Sequence, residues 1–206
     1  MTPRDVGDAY DRGAAGYDER FAAHPRTAAR FRRIEAPMLA VARGRVLDLG
    51  CGTGRLLATV GGVGIDVSAG LLRVARGKGL AVARADAHAL PFGDGRFDVV
   101  LAANAVFRHL DPPRALAECA RVLRPGGRLA LHQLAAWTVR LTRPHPPHPG
   151  DLRRPEDLLA PARAVSLVPH GVHLYRGLRF WPYVVRLPRA LAGHLWDHVV
   201  IVFEKR

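Results

Sequence analysis

The chain has 206 residues, two cysteines and a formal net charge of +13. This length suits one domain, residues 1–206, with a hydrophobic core that needs no disulfides, and two cysteines supply neither a disulfide framework nor a zinc-ligand spacing. No apolar run approaches the ~20 residues of a membrane-spanning helix, and the N-terminus lacks an apolar signal region. We therefore expect a soluble, cytoplasmic protein that does not contact a membrane and needs no metal.

The positive charge is carried almost entirely by arginine. Of the 31 basic residues, only Lys78 and Lys205 are lysines. The arginines are spread over nearly every segment and accompany abundant Ala, Gly and Pro, which indicates a GC-rich coding bias more than a nucleic-acid-binding patch. A polyanion or an acidic substrate remains the alternative that the charge supports.

Residues 1–43 are predicted to form amphipathic helices. Four side chains at helical spacing share one face of a helix predicted over residues 8–21: Tyr10, Ala14, Tyr17 and Phe21. Further helices are predicted to begin at Pro25 and Pro37. The two tyrosines either pack in the core or close over a ligand, because tyrosine combines an apolar ring with a polar hydroxyl.

From residue 46 the chain alternates short apolar strands with helices. Strands are predicted at residues 46–49, 62–66, 80–84, 97–102, 128–131 and 198–203. Helices are predicted at residues 55–59, 69–76 (with Ser68 as N-cap), 112–122 and 155–159. This alternation predicts right-handed crossovers and a mainly parallel sheet that is covered by helices on both faces.

The segment VLDLGCGTGRLL, residues 46–57, is predicted to carry a ligand site. Its apolar strand turns through Gly50, Gly52 and Gly54 into the start of a helix. Glycines adopt backbone angles closed to other residues and let a ligand lie against the main chain. The helix start offers unpaired N–H groups. The pattern therefore predicts a nucleotide-like cofactor.

Acidic residues at the ends of the following strands narrow the choice of cofactor. Asp66 ends the second strand, where a carboxylate accepts hydrogen bonds from both ribose hydroxyls, as in dinucleotide-binding folds. Asp86 ends the third strand, where it could receive an adenine amino group. NAD is the less favoured cofactor. Arg55 stands where the dinucleotide-binding pattern has its third glycine. NAD binding also gives no reason for Asp48, Asp86 and the RPGG turn at residues 124–127 to occur together.

Four segments resemble the successive motifs of class I S-adenosylmethionine-dependent methyltransferases, closest to the small-molecule and ubiquinone/menaquinone-biosynthesis branch: VLDLGCGTGRLL, VGIDVSAGLLRVAR, ADAHALPFGDGRFDVVLAANAVFRHL and ARVLRPGGRLAL. The resemblance covers residues 46–131 closely, YDRGAAGYDERF moderately, and the chain after Gln133 weakly. It implies an α/β, Rossmann-like fold with a seven-stranded, mostly parallel sheet. Residues 1–43 would be a helical cap, residues 44–133 the cofactor-binding core, and residues 134–206 a substrate-side insertion with the last strands.

The resemblance also implies which residues contact S-adenosylmethionine and its product S-adenosylhomocysteine. Asp48 would support the glycine loop and the cofactor ammonium, Asp66 would hold the ribose, and Asp86 would frame the adenine. The other implied contacts are Val67 and Ala87 at the adenine, the backbone of Gly50, Cys51 and Gly52 and the carbonyls of Ala103 and Asn104 at the methionine part, Tyr10 and Tyr17 at the carboxylate, and His109. For His109, helix capping or packing is an equal alternative.

The sequence carries less information about the acceptor substrate than about the cofactor. Asn104 is not followed by the Pro-Pro-aromatic sequence of nucleobase amine methyltransferases, there is no Pro-Cys nucleophile, and two lysines cannot build a lysine-centred tetrad. These absences disfavour nucleic acid. His132 is the candidate general base, with a histidine satisfied in a loop as the alternative.

Aromatic residues in the second half favour a small aromatic or hydrophobic substrate, if they line the pocket rather than the core: Phe107, Trp137, Tyr175, Phe180, Trp181 and Tyr183. The rival interpretations are an RNA or protein methyltransferase, and a non-catalytic cofactor-binding partner protein. The pattern is compatible with a monomer or a homodimer.

Overall fold

The computed structural model describes residues 2–22, 25–104, 106–134, 156–177, 184–186 and 198–206. The helices are α1 (Pro3–Asp11), α2 (Tyr17–Ala22), α3 (Pro25–Val41), α4 (Leu57–Val60), α5 (Ala69–Gly77), α6 (Pro112–Val122) and α7 (Glu156–Ala164), with a 3-10 helix at Val106–His109. The strands are β1 (Val46–Leu49), β2 (Val63–Asp66), β3 (Val82–Arg84), β4 (Phe97–Ala102), β5 (Leu123–Leu134), β6 (Leu167–Gly177), β7 (Val184–Arg186) and β8 (His198–Lys205). None of the described helices combines the length and the apolar character that crossing a membrane requires.

One sheet contains all the described strands, in the order β3-β2-β1-β4-β5-β8-β6-β7. The first five are parallel, and β8 inserts antiparallel between β5 and β6. This arrangement confirms the predicted Rossmann-like fold. Six of the eight described strands correspond to strands predicted individually, and β6 is a seventh, the number that the resemblance implied. The three-residue β7 pairs with β6 at one edge and is an eighth.

Two hydrophobic clusters cover the two faces of the sheet. Leu47 and Leu49 face the side of α6 and α7, whereas Val46 faces the side of α3, where Ile34 and Met38 are fully buried. Strands that are buried on both faces are apolar on both sides, which is why β1 and β4 are apolar apart from Asp48 and Asp98.

The helical cap differs from the prediction in two places. The single helix over residues 8–21 is wrong: α1 ends at Asp11 and α2 begins at Tyr17, since Gly13 and Gly16 disfavour helix between them. The two helices predicted from Pro25 and Pro37 are one, α3, with Pro37 inside it. Burial of the apolar face of α3 outweighs the hydrogen bond that Pro37 cannot donate.

Two connections in the core also differ. The helix predicted from residue 55 begins at Leu57 and is one short turn, so residues 50–56 form turns before it. The RPGG segment does not separate α6 from the fifth strand. Leu123 already pairs with Phe97 and Arg128 pairs with Val99, so residues 124–127 form an irregular bulge within β5.

The remaining predicted elements are close to the structure. Ser68 caps α5 by accepting a hydrogen bond from the Leu71 N–H, and β4 has the predicted bounds. The predicted helix over residues 155–159 is the start of the longer α7. The strand predicted over residues 198–203 extends to Lys205.

Carboxylates attach each cap helix to the core. Asp11, at the end of α1, accepts hydrogen bonds from the Gly70 N–H at 2.8 Å and from the Ser68 hydroxyl. Asp18 on α2 accepts the Thr53 hydroxyl at 2.7 Å and pairs with Lys78 at 2.6 Å. The third is an ion pair between the buried Glu35 on α3 and the partly exposed Arg55. Thr53 and Arg55 belong to the glycine-rich turn that follows β1. These contacts therefore fix the cap helices to that turn.

The cap also depends on a close backbone approach at Gly7. A Cβ added there would lie 2.9 Å from the Val67 carbonyl oxygen, so α1 would have to shift. We expect Gly7→Ala to lower the free energy of unfolding by about 1–2 kcal/mol, because the steric cost exceeds the helix-propensity gain. Gly77→Ala is the control. A Cβ there meets no atom of the described residues within 4 Å, and we expect a gain of up to ~1 kcal/mol.

Denaturant unfolding measures both effects, and amide hydrogen exchange of α1 reports whether the loss is local. Equal stabilisation by the two alanines would contradict the close packing of α1.

Candidate active site

A cavity of about 390 Å³ lies between the cap helices and the carboxyl ends of the parallel strands. This edge is the usual ligand site of open α/β sheets. The cavity is lined by every residue that the sequence proposed as a cofactor contact or as the general base: Tyr10, Tyr17, Asp48, Gly50, Cys51, Gly52, Asp66, Val67, Asp86, Ala87, Ala103, Asn104, His109 and His132.

The glycine-rich turn has the backbone conformation that its sequence predicts. Gly50 and Gly52 have φ angles of +69° and +57°, in the left-handed region. A Cβ on Gly50 would overlap Val106, whereas a Cβ on Gly52 would meet only Leu71, at 3.8 Å. The turn therefore follows the 3-10 helix closely on one side and leaves space at Gly52 on the cavity side.

Asp66 joins this turn to the start of α5. One carboxylate oxygen accepts the Gly52 N–H and the other accepts the Ser68 N–H, each at 2.9 Å. Burial raises the pKa of Asp66, although the two N–H donors act in the opposite direction. Each oxygen keeps a further lone pair, so Asp66 can hold the turn and still accept hydrogen bonds from a ligand.

Asp48, near the end of β1, is the most unusual charged group of the cavity. It is 2% exposed, and within the described part of the chain its Oδ2 has no hydrogen-bond partner. Burial, followed by the nearby Asp66, raises its pKa to about 7. A buried carboxylate with an unsatisfied oxygen favours a ligand that brings positive charge or N–H donors.

Asp86 is oriented by a histidine that the sequence analysis did not single out. The Asp86 Oδ1 lies 2.7 Å from His88 Nδ1, and His88 Nε2 accepts the Asp111 N–H at 2.9 Å. Because Nε2 is an acceptor, Nδ1 carries the proton and donates to Asp86. A histidine two residues after a strand-end acid is the local signal that could have identified it.

The tyrosines stand at the rim of the cavity and are not core residues. Tyr10 and Tyr17 are 37% and 36% exposed. The Tyr10 hydroxyl lies 3.2 Å from His109 Nε2, with their rings edge to face. The chain also turns at Asn104 with φ +56°, a conformation that asparagine adopts more readily than most residues. Local strain at a cavity edge is typical of a functional site.

The end of the cavity away from Asp66 contains residues that the sequence did not predict: Arg30 and Phe31 on α3 and His198 at the start of β8. His132 is 1% exposed, and its Nε2 lies 3.0 Å from His198 Nδ1. Burial, and then the charge of Arg30, lower the pKa of His132 to about 3.

The predicted aromatic lining needs correction. Phe107 and Tyr175 are 2% and 6% exposed and belong to the two hydrophobic clusters, not to the cavity wall. Phe107 packs from the 3-10 helix into the cluster on the α6 side of the sheet, and Tyr175 packs from β6 into the cluster on the α3 side. Trp137, Phe180, Trp181 and Tyr183 lie outside the described residues.

The raised pKa of Asp48 predicts a pH-dependent stability. Between about pH 4 and pH 7, folded Asp48 holds a proton that the unfolded chain has released, so this residue makes the folded state less stable as pH rises. Asparagine imitates the protonated form. We expect Asp48→Asn to exceed the wild type by on the order of 2–3 kcal/mol at about pH 8 and to lose most of this advantage at about pH 5.

Urea unfolding at both pH values tests this expectation, with Asp8→Asn on the exposed face of α1 as the control. An advantage of Asp48→Asn that is independent of pH would show that the carboxylate is not desolvated.

Comparison with known proteins places the chain in a family. The profile described as "Methyltransferase domain" matches residues 47–131. The demethylmenaquinone methyltransferase of Mycobacterium sp. (strain KMS) is 33% identical over 96% of this chain and 87% of its own length. The O-methyltransferase cnsE of Penicillium expansum is 39% identical over 44% of this chain, and the match spans 38% of that longer protein.

A solved structure has the same fold. The S-adenosylmethionine-dependent methyltransferase TM1293 of Thermotoga maritima, described as a possible histamine N-methyltransferase, superposes with a TM-score of 0.73 at 22% identity, over 97% of this chain and 99% of its own. At that identity the likeness supports the fold alone. Together with the near full-length sequence relative, it completes the identification: the chain belongs to the class I S-adenosylmethionine-dependent methyltransferases.

Proposed function

We propose that the protein transfers the methyl group of S-adenosylmethionine to a small aromatic or hydrophobic molecule. The observation that supports this proposal is the cavity itself, which joins the acidic strand ends to a second end lined by Phe31, Leu134 and His132 under the cap. Its volume is within the range of small-molecule sites. The name of the mycobacterial relative, demethylmenaquinone methyltransferase, points to a quinone acceptor for that protein and so supports the proposal.

The cofactor end fits S-adenosylmethionine by its chemistry. The unsatisfied Asp48 oxygen suits the cofactor ammonium. The carbonyls of Ala103 and Asn104 would also accept hydrogen bonds from this ammonium group. Asp66 offers one lone pair on each oxygen to the ribose hydroxyls. The adenine would lie between Val67 and Ala87, with Asp86 at its amino group.

The remaining predicted contacts suit the methionine part of the cofactor. The backbone of Gly50, Cys51 and Gly52 would lie along it, because the two glycines have no side chain and their positive φ angles suit the tight turn. Tyr10, Tyr17 and His109 would close over its carboxylate from the rim.

The cofactor supplies an electrophilic methyl group on a positively charged sulfur. The protein's own contribution is to align the acceptor with that methyl group and to exclude water. The cap suits this role, because Asp11, Asp18 and Glu35 hold it over the strand ends. His132 is the proposed contact with the acceptor.

The net charge of +13 supports a second candidate, an enzyme acting on RNA or protein. The position of the cavity argues against this candidate. Its lining comes from the interior faces of the cap and the sheet, and not from an open surface that a macromolecule would contact. A non-catalytic cofactor-binding protein is the third candidate.

Binding of the product cofactor tests the cofactor end. We expect calorimetry to detect S-adenosylhomocysteine binding to the wild type, and Asp66→Ala to weaken it at least tenfold, because the ribose hydroxyls and the Gly52 amide lose their acceptor. Asp94→Ala is the control, since this carboxylate is 81% exposed and pairs only at the surface. Unchanged binding in folded Asp66→Ala, or preferential binding of NADH, would refute the cofactor assignment.

Methyl transfer to competing acceptors tests the substrate class. With methyl-labelled S-adenosylmethionine, we expect the label in small aromatic compounds that solvent extracts, and none in bulk tRNA or in protein. Label in RNA would instead favour the second candidate. Cofactor binding without transfer to any acceptor would favour the third.

A further inference from the structure

Arg30, Phe31, His132 and His198, which we name the acceptor subsite, line one end of the cavity. We propose that the acceptor subsite binds the ionised hydroxyl of an aromatic substrate, a phenolate or an enolate, and thereby selects oxygen acceptors over amines. This inference rests on the proposed methyl transfer and specifies its substrate class.

The register of two strands brings the histidines together. In the antiparallel β5–β8 pair, His198 lies opposite Leu134, and His132 is two residues before Leu134 on the same face of the sheet. Both side chains therefore point to the same side. Their rings are 5.2 Å apart at the centroids, and His132 Nε2 lies 3.0 Å from His198 Nδ1.

This contact determines which nitrogen of His132 can serve a ligand. One of the two facing nitrogens must carry a proton and the other a lone pair. If His198 Nδ1 donates, His132 Nε2 accepts and His132 Nδ1 carries the remaining proton. Among the described residues, His132 Nδ1 is buried and has no partner. In that arrangement a bound oxyanion would accept the proton of His132 Nδ1, and His198 would be the positioning residue that sets this tautomer of His132.

The charge at this end of the cavity favours an anion. The guanidinium of Arg30 lines the cavity close enough to His132 to lower the pKa of that ring. The carboxylates Asp48, Asp66 and Asp86 lie at the strand ends that form the cofactor end. Glu35, the buried carboxylate on α3, is paired with Arg55, whose guanidinium also lies 6.0 Å from the centre of the Phe31 ring. A protonated amine would be repelled by Arg30, whereas a phenolate would gain both its charge and a hydrogen bond from His132.

The same observations change the role expected of His132. A histidine that burial and Arg30 keep neutral is a weak proton acceptor at neutral pH. The hydroxyl therefore loses its proton to solvent when it binds beside Arg30. The acceptor oxygen then provides the electron pair of the new O–C bond while the electrons of the S–C bond remain on sulfur, so no proton has to be removed during the transfer.

Phe31 completes the subsite with an apolar wall. Its ring meets His132 edge to face, at 6.3 Å between centroids. An aromatic substrate can lie against this ring while its hydroxyl reaches Arg30 and His132, because aromatic pairs gain energy in stacked and edge-to-face arrangements.

A coloured phenol tests the subsite directly. The probe is 4-nitrophenol, whose phenolate is yellow, added to the protein saturated with S-adenosylhomocysteine. We expect bound 4-nitrophenol to ionise about one pH unit or more below its value in water, which corresponds to about tenfold preference for the anion. Arg30→Met replaces the guanidinium with an uncharged side chain of similar length and should abolish this preference.

Arg32→Met is the matched control, because it removes the same charge from the exposed face of α3 and should change nothing. Binding of the neutral phenol, equal ionisation in Arg30→Met, or no binding of the probe would overturn the inference. S-adenosylhomocysteine affinity, measured on the same samples, separates this failure from failure of the proposed function, which absent cofactor binding would indicate.

The histidine pair has its own spectroscopic test. In ¹⁵N spectra of the imidazoles we expect one tautomer of His132, protonated at Nδ1, and we expect Arg30→Met to raise the pKa of His132. His198→Phe should leave the tautomers of His132 mixed and weaken 4-nitrophenol binding. His198→Asn, whose amide can donate from a similar place, should restore both. A His132 spectrum that is indifferent to both His198 substitutions would show that the pair does not set the tautomer.

Discussion

The two hydrogen bonds that Asp66 accepts are the constraint on which the cofactor end depends. They tie the amide of Gly52, after β1, to the amide of Ser68, before α5. Ser68 in turn caps α5 and donates to Asp11 of the cap. One partly desolvated carboxylate therefore holds the two loops at the crevice and, through Ser68, the helix above it. Because its oxygens have further lone pairs, the same group that organises the site remains available to a ligand.

The two ends of the cavity have opposite electrostatic character. At one end Asp48 is buried with an unsatisfied oxygen and a raised pKa, which suits a cationic ligand group. At the other end Arg30 keeps His132 neutral with a lowered pKa, which suits an anionic oxygen. Asp48 Oδ2 and His132 Nδ1 are buried polar atoms with no partner among the described residues, which costs stability, and ligand binding would relieve that cost. This is the usual exchange of folding stability for a prepared site.

The cap helices are interrupted by glycine and proline, and contacts with the core hold them in place. Gly13 and Gly16 interrupt them, and Pro37 lies inside α3. Asp11, Asp18 and Glu35 anchor the three helices, and Ile34 and Met38 bury the apolar face of α3. These contacts are made across long sequence separations, so the spacing of residues 8–21 alone suggested a longer helix than the chain forms.

The sequence by itself determined the parallel sheet, the glycine turn and the acids at the strand ends, because each of these is a local pattern. A strand, its turn and its terminal carboxylate lie within a few residues, and the fold brings all such ends to one edge. The acceptor subsite could not be found in this way. Arg30 comes from the cap, and His132 and His198 meet only through the antiparallel register of β5 and β8, 66 residues apart. Only the tertiary structure decided that pairing, since register over such a distance depends on how the whole sheet buries its faces.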